Sequence, residues 1–158
     1  HYSLENISLA LNTILDTLEL SSIYLFGYSF GGRVALTYAH HHPNRVEHLF
    51  LESSSFGLNN EEERNERQLK DNQLAQKLLK VGMSSFVDEW QELDLFASQK
   101  SLPTEIFERE INQKKIQSIK TMSLALQYGS VATQLNFQRS ETIKQLQITY
   151  IAGSLDQK

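Results

Sequence analysis

Cysteine is absent from the 158 residues, which removes thiol nucleophiles, thiolate metal sites and disulfides together. The absence is compatible with a reducing compartment. Proline occurs only twice and glycine seven times, so collagen-like and low-complexity readings fail. Fifteen Lys and Arg against nineteen Asp and Glu leave a net charge of −4, with no broad cationic surface for nucleic acid or anionic lipid. No apolar run approaches the roughly 18 residues of a membrane span, and the amino end has neither a basic region nor a signal-like apolar core. These absences lead us to expect a soluble protein with no integral membrane association and no nucleic-acid partner; a cytoplasmic location is expected as well, although the absences themselves leave the compartment undecided. What is present is 40% apolar and 22% charged residues, enough for a modest domain with a hydrophobic core.

Leu4, Ile7, Leu11, Ile14, Leu15 and Leu18 recur at three and four, the period of an amphipathic helix capped by Ser3. Ile23 to Phe26 is a short apolar run closed by Gly27, which reads as a strand buried on both faces. A helix follows from Val34 to His42, stopped by Pro43, and Val46 to Leu51 is the next strand. Together they form a β-α-β unit, which implies parallel strands and a right-handed crossover. After Ser53-Ser54-Ser55 the texture turns polar, Glu- and Gln-rich and helical, until strand texture returns at Ile148 to Ala152. Roughly 95 residues separate the last two strands, far more than an ordinary crossover, so a helical insertion is expected over the sheet.

The sharpest motif is Gly27-Tyr28-Ser29-Phe30-Gly31, a G-x-S-x-G pattern between a strand and a helix. A turn this tight strains the serine backbone and lifts its hydroxyl above the sheet, near a helix amino end that favours negative charge. The Phe30 N–H would be one oxyanion donor. A general base must take the Ser29 proton, and in this architecture an acid and then a His follow in chain order. Asp156 stands where that acid would, although a solvated turn Asp suits the same position. All five His lie at or before His48, so no His follows Asp156. His40, His41 and His42 make a poor metal set, because adjacent helical residues point in different directions. Arg33, four residues after Ser29, is either an anion clamp or an ordinary surface arginine. Trp90, the only Trp, reads as a packing residue of the insertion, and Tyr28 either lines a pocket or packs. The Arg64/Arg67 and Lys114/Lys115 pairs read as solvated helix faces. Neither a P-loop nor a dinucleotide fingerprint is present, so no nucleotide is implied.

GYSFGGRVAL at residues 27–36, LFLESSSFGL at 49–58, EERNERQLKDNQLA at 62–75, FVDEWQELDLFASQKSLP at 86–103 and IAGSLDQK at 151–158 together carry a family resemblance. The chain resembles an internal part of an α/β-hydrolase-fold protein. Within that superfamily it is similar to the MenH-type synthases that make 2-succinyl-6-hydroxy-2,4-cyclohexadiene-1-carboxylate in menaquinone biosynthesis. The resemblance implies a mostly parallel sheet with flanking helices and a helical cap, of which this chain holds part of the sheet. Residues 1–56 would be a core segment with the elbow, 57–146 the cap, and 147–158 the return to a core strand and acid-bearing turn. It implies a carbon–oxygen lyase that eliminates pyruvate from a small polyanionic carboxylate, 2-succinyl-5-enolpyruvyl-6-hydroxy-3-cyclohexene-1-carboxylate, without a cofactor.

Carried over by residue, Ser29 would be the base and Asp156 would orient its His. Arg33 and Arg67 would hold carboxylates, Tyr28 and Trp90 would line the pocket, and Gln134 would match a pocket residue. A cap arginine of the family falls here at Lys114 or Lys115, replacing a planar fork by a point charge. The segment Tyr128 to Gln134 also departs from the glycine-rich version common in relatives. We expect early strands and a second oxyanion donor before His1 and the catalytic His after Lys158, so that this piece alone is inactive. A monomer or homodimer is expected. The competing readings are a serine esterase, thioesterase or C–C hydrolase of the same fold, and a noncatalytic binding member of it.

Overall fold

The computed structural model describes residues 2–154. They form two compact units, one of residues 2–68 with 128–154 and one of residues 69–127. The second lies inside the insertion expected at 57–146.

The first unit begins with helix α1, Leu4–Thr17, whose cap Ser3 accepts the Asn6 N–H. Leu4 and Leu15 are buried, whereas Ile14 and Leu18 of the expected stripe are exposed. Strand β1 is Ile23–Tyr28, α2 is Phe30–His41 and β2 is Val46–Glu52. A short helix, Glu141–Lys144, then precedes β3, Ile148–Ile151. The three strands are parallel in the order β1-β2-β3, with Phe26 opposite Phe50 and Leu49 opposite Ile148. Helix α2 packs on β1 and β2, and α1 packs on α2. The core between them holds Leu36, Tyr38, Ala39, Leu49, Leu51 and Phe137.

β1 differs from the strand expected to be buried on both faces. Leu25 faces the α2 side and joins the core cluster, while Tyr24, Phe26 and Tyr28 are 74%, 57% and 60% exposed. The period of two in a strand separates these sets, and among the described residues nothing covers the second face.

Helix α3, Glu61–Gln91, starts in the first unit and continues into the second, bent at Gly82, whose φ of 81° and ψ of 165° are not helical. The second unit adds a 3₁₀ stretch at Asp94–Ser101, then α4, Thr104–Lys115, and α5, Ile119–Tyr128. Its core is Leu78, Met83, Phe86 and Val87, with Leu74, Trp90 and Leu126 packed around them. Among the described residues no helix is long and apolar enough to cross a membrane.

Candidate active site

Ser29 sits between the last residue of β1 and the first of α2, with φ 49° and ψ −109°. A side chain at positive φ costs on the order of 1–3 kcal/mol and persists only where its surroundings fix it. Here the Ser29 N–H donates to the Glu52 carbonyl at 2.8 Å, and the Ser29 carbonyl accepts the Arg33 N–H at 3.2 Å. Phe30 opens α2, so its N–H is among those with no acceptor within the helix and is available as an oxyanion donor.

The elbow closes because two glycines let backbone meet backbone. A Cβ on Gly27 would fall 2.5 Å from Gly32 Cα, and one on Gly32 would fall 2.5 Å from both Ser54 Cβ and Oγ. Gly31, the second glycine of the sequence pattern, has open space around it. The close approach thus runs through Gly32, one residue beyond the pattern.

A cavity of about 260 Å³ joins Ser29 to Arg33 and Arg67, with Ser53 and Ser55 adding hydroxyls and Leu58 and Val131 apolar walls. Two arginines and three serines line this recess at the start of α2, a set of side chains suited to a carboxylate-bearing molecule. The Arg33 guanidinium also lies over the Phe30 ring, 5.0 Å from its centroid. Sequence reasoning missed Ser53, Ser55, Leu58 and Val131; the serine run after β2 was the available signal. A second cavity of about 470 Å³ is lined by the carboxamides of Asn59, Asn60, Asn65 and Gln68 with Glu61 and Arg64, and does not include Ser29.

Other expected site residues lie elsewhere. Tyr28 is on the open sheet face and is not among the residues lining the Ser29 cavity. Gln134 is fully buried and also absent from that lining; its Nε2 donates to the Ser55 carbonyl at 2.8 Å, so it supports a cavity residue from behind. In the second unit Trp90 stacks on Phe86 at 5.5 Å and meets Phe96 at 6.0 Å. Lys114 Nζ lies 5.4 Å from the Phe96 ring centroid, while Lys115 is paired with Asp88 at 2.6 Å. Phe96 thus links Trp90 to Lys114, and Lys115 is engaged separately. Asp156 lies outside the described residues. No group of side chains able to hold a metal ion occurs among the described residues.

The α/β-hydrolase fold profile matches residues 1–146. The chain belongs to the α/β-hydrolase fold family. Among curated α/β-hydrolase relatives, a 2-succinyl-6-hydroxy-2,4-cyclohexadiene-1-carboxylate synthase of Escherichia coli O1:K1 / APEC is 27% identical over 91% of this chain and 56% of its own length. A Bacillus subtilis (strain 168) protein provisionally named for the same synthase is 43% identical over 59% of this chain and 34% of its own length. The solved structure of MenH from S. aureus superposes with a TM-score of 0.79 at 32% identity, covering 95% of this chain and 66% of that one. A thermophilic esterase from Thermogutta terrifontis shares the fold, with a TM-score of 0.77 at 18% identity over 98% of this chain and 55% of that one. The chain spans between about a third and about three-fifths of the curated relatives it matches.

Proposed function

We propose that the full-length protein containing this chain eliminates pyruvate from 2-succinyl-5-enolpyruvyl-6-hydroxy-3-cyclohexene-1-carboxylate, yielding 2-succinyl-6-hydroxy-2,4-cyclohexadiene-1-carboxylate for menaquinone synthesis. The observation that carries this reading is the single cavity holding Ser29 with Arg33 and Arg67. A plain esterase needs the serine; paired guanidiniums beside it suit a substrate bearing several carboxylates. The similarity to the named synthases supports the same choice.

In this reading Ser29, relayed through a His held by Asp156, takes the ring proton next to the succinyl carbonyl. The electron pair moves into that carbonyl as an enolate, stabilised by the Phe30 N–H, and then returns to form the C2–C3 double bond while the C3–C4 pair shifts to C4–C5 and expels the enolpyruvyl oxygen from C5. The C–O bond breaks, the leaving group becomes pyruvate, and the proton is returned to it. Oxidation states balance without a cofactor. Arg33 and Arg67 orient carboxylates, Gln134 acts through Ser55, and Trp90, Lys114 and Tyr28 are assigned to substrate contact in the complete protein.

Pyruvate release from the substrate, measured with the full-length protein, tests the proposal. Ser29→Ala is expected to lower kcat by about a thousandfold or more. Arg33→Lys and Arg67→Lys are each expected to raise KM by about tenfold, because a point charge replaces a bidentate fork. Turnover of simple esters with no pyruvate release would move the protein to the hydrolases of the same fold.

A further inference from the structure

We propose that Ser54 is a positioning residue for the Ser29–Phe30 peptide, and that Tyr150 of β3 holds Ser54 in that role. The proposal rests on reading Ser29 as the reacting group and the Phe30 N–H as its oxyanion donor.

Ser54 is 5% exposed, and its Oγ donates to the Ser29 carbonyl at 3.2 Å. The Ser29 carbonyl and the Phe30 N–H belong to one peptide unit, and no cis peptide occurs among the described residues. In a planar trans peptide the two groups point in opposite directions, so whatever pins the carbonyl also aims the N–H. The Arg33 N–H pins that carbonyl from within α2, whereas Ser54 pins it from the chain leaving β2. With donors on two separate elements, rotation of the peptide breaks at least one bond. The Ser54 side chain also packs directly against Gly32, closing the space beside the first turn of α2.

Ser54 is itself held from β3. The Tyr150 hydroxyl donates to the Ser54 carbonyl at 2.6 Å, and the Ser53 N–H donates to the Ile151 carbonyl at 2.9 Å. A line of bonds therefore runs from β3 through Ser54 to the elbow. Asp156 follows Tyr150 by six residues in the sequence. An oxyanion donor acts on charge that develops in the transition state, and its aim affects kcat more than substrate binding.

The test uses the full-length protein. Ser54→Ala is expected to lower kcat for pyruvate release by about tenfold with KM within about twofold, and Tyr150→Phe to lower kcat by about threefold. The double variant should fall no further than Ser54→Ala, because both act through one bond. Independently of any activity, the ¹⁵N resonance of Phe30 should move in both variants, since it senses hydrogen bonding at the preceding carbonyl. An unmoved Phe30 resonance overturns the proposal, as does a kcat within about twofold of the parent protein in both variants. A fall in thermal midpoint accompanied by equal losses in kcat and rising KM would assign Ser54 to general stability and overturn it also. If the parent protein releases no pyruvate, the proposed function fails. Ester turnover with the same variants, together with the Phe30 resonance, then decides the positioning role.

Discussion

At Gly32 the elbow leaves no room for a side chain, because the neighbour is buried Ser54 rather than the tip of a flexible residue. Gly32→Ala is expected to destabilise the protein by about 1–3 kcal/mol through overpacking, while Gly31→Ala should be neutral or slightly stabilising at a helical position with open space. Urea midpoints of the two variants separate these outcomes. The contrast also marks how far the site was legible from sequence. The serine, the turn and the helix behind it are local, and the G-x-S-x-G spacing sufficed for them. The choice of Gly32 over Gly31 depends on Ser54, which β2 delivers from 22 positions further along the chain. Arg67 joins Ser29 in one cavity for a similarly nonlocal reason: as sequence it was only one of two arginines on a polar helix. Nor does composition reveal that the Gln134 amide bonds the Ser55 carbonyl across 79 positions of sequence.

The strands followed their apolar runs closely, since β1, β2 and β3 each begin at the expected residue, whereas α2 starts at Phe30, four residues before the expected Val34. What an apolar run does not reveal is which of its faces finds a partner, and among the described residues β1 is covered on one. The bend at Gly82 was equally hidden, because an isolated glycine in a helical pattern is compatible with a straight helix. The carboxyl end of α2 carries a pH dependence. Burial, with a contribution from His41, holds His40 below the ordinary histidine value of 6.5. Burial, His41 and Arg45 lower His42 likewise, with Asp16 opposing them. His40 Nδ1 is paired with Ser140 Oγ at 3.1 Å, and His42 lies 4.8 Å from the Tyr38 ring. Between the unfolded value near 6.5 and the lower folded values, the unfolded chain binds more protons. The stability linked to these two groups is thus fully present above about pH 6.5 and declines as pH falls through the folded values. Urea midpoints between pH 7.5 and 5 should show that decline, and His40→Gln with His42→Gln should flatten it.

In the whole molecule, the sheet face bearing Tyr24, Phe26 and Tyr28 is the apolar surface that parallel sheets ordinarily bury. The 158-residue chain is expected to bind a hydrophobic dye such as 1-anilinonaphthalene-8-sulfonate there. Tyr24→Thr with Phe26→Asn should reduce that fluorescence to about half or less, and an unchanged signal would place the dye elsewhere.

Residues 69–127 leave the first unit after Gln68 and re-enter it at Tyr128. The cavity of Ser29, Arg33 and Arg67 is built from the first unit alone, whereas Trp90 and Lys114 belong to the second. Substitutions between Gln68 and Tyr128 leave every residue that lines this cavity as it is, so the appetite of such a protein for different molecules can drift while the strained serine stays untouched.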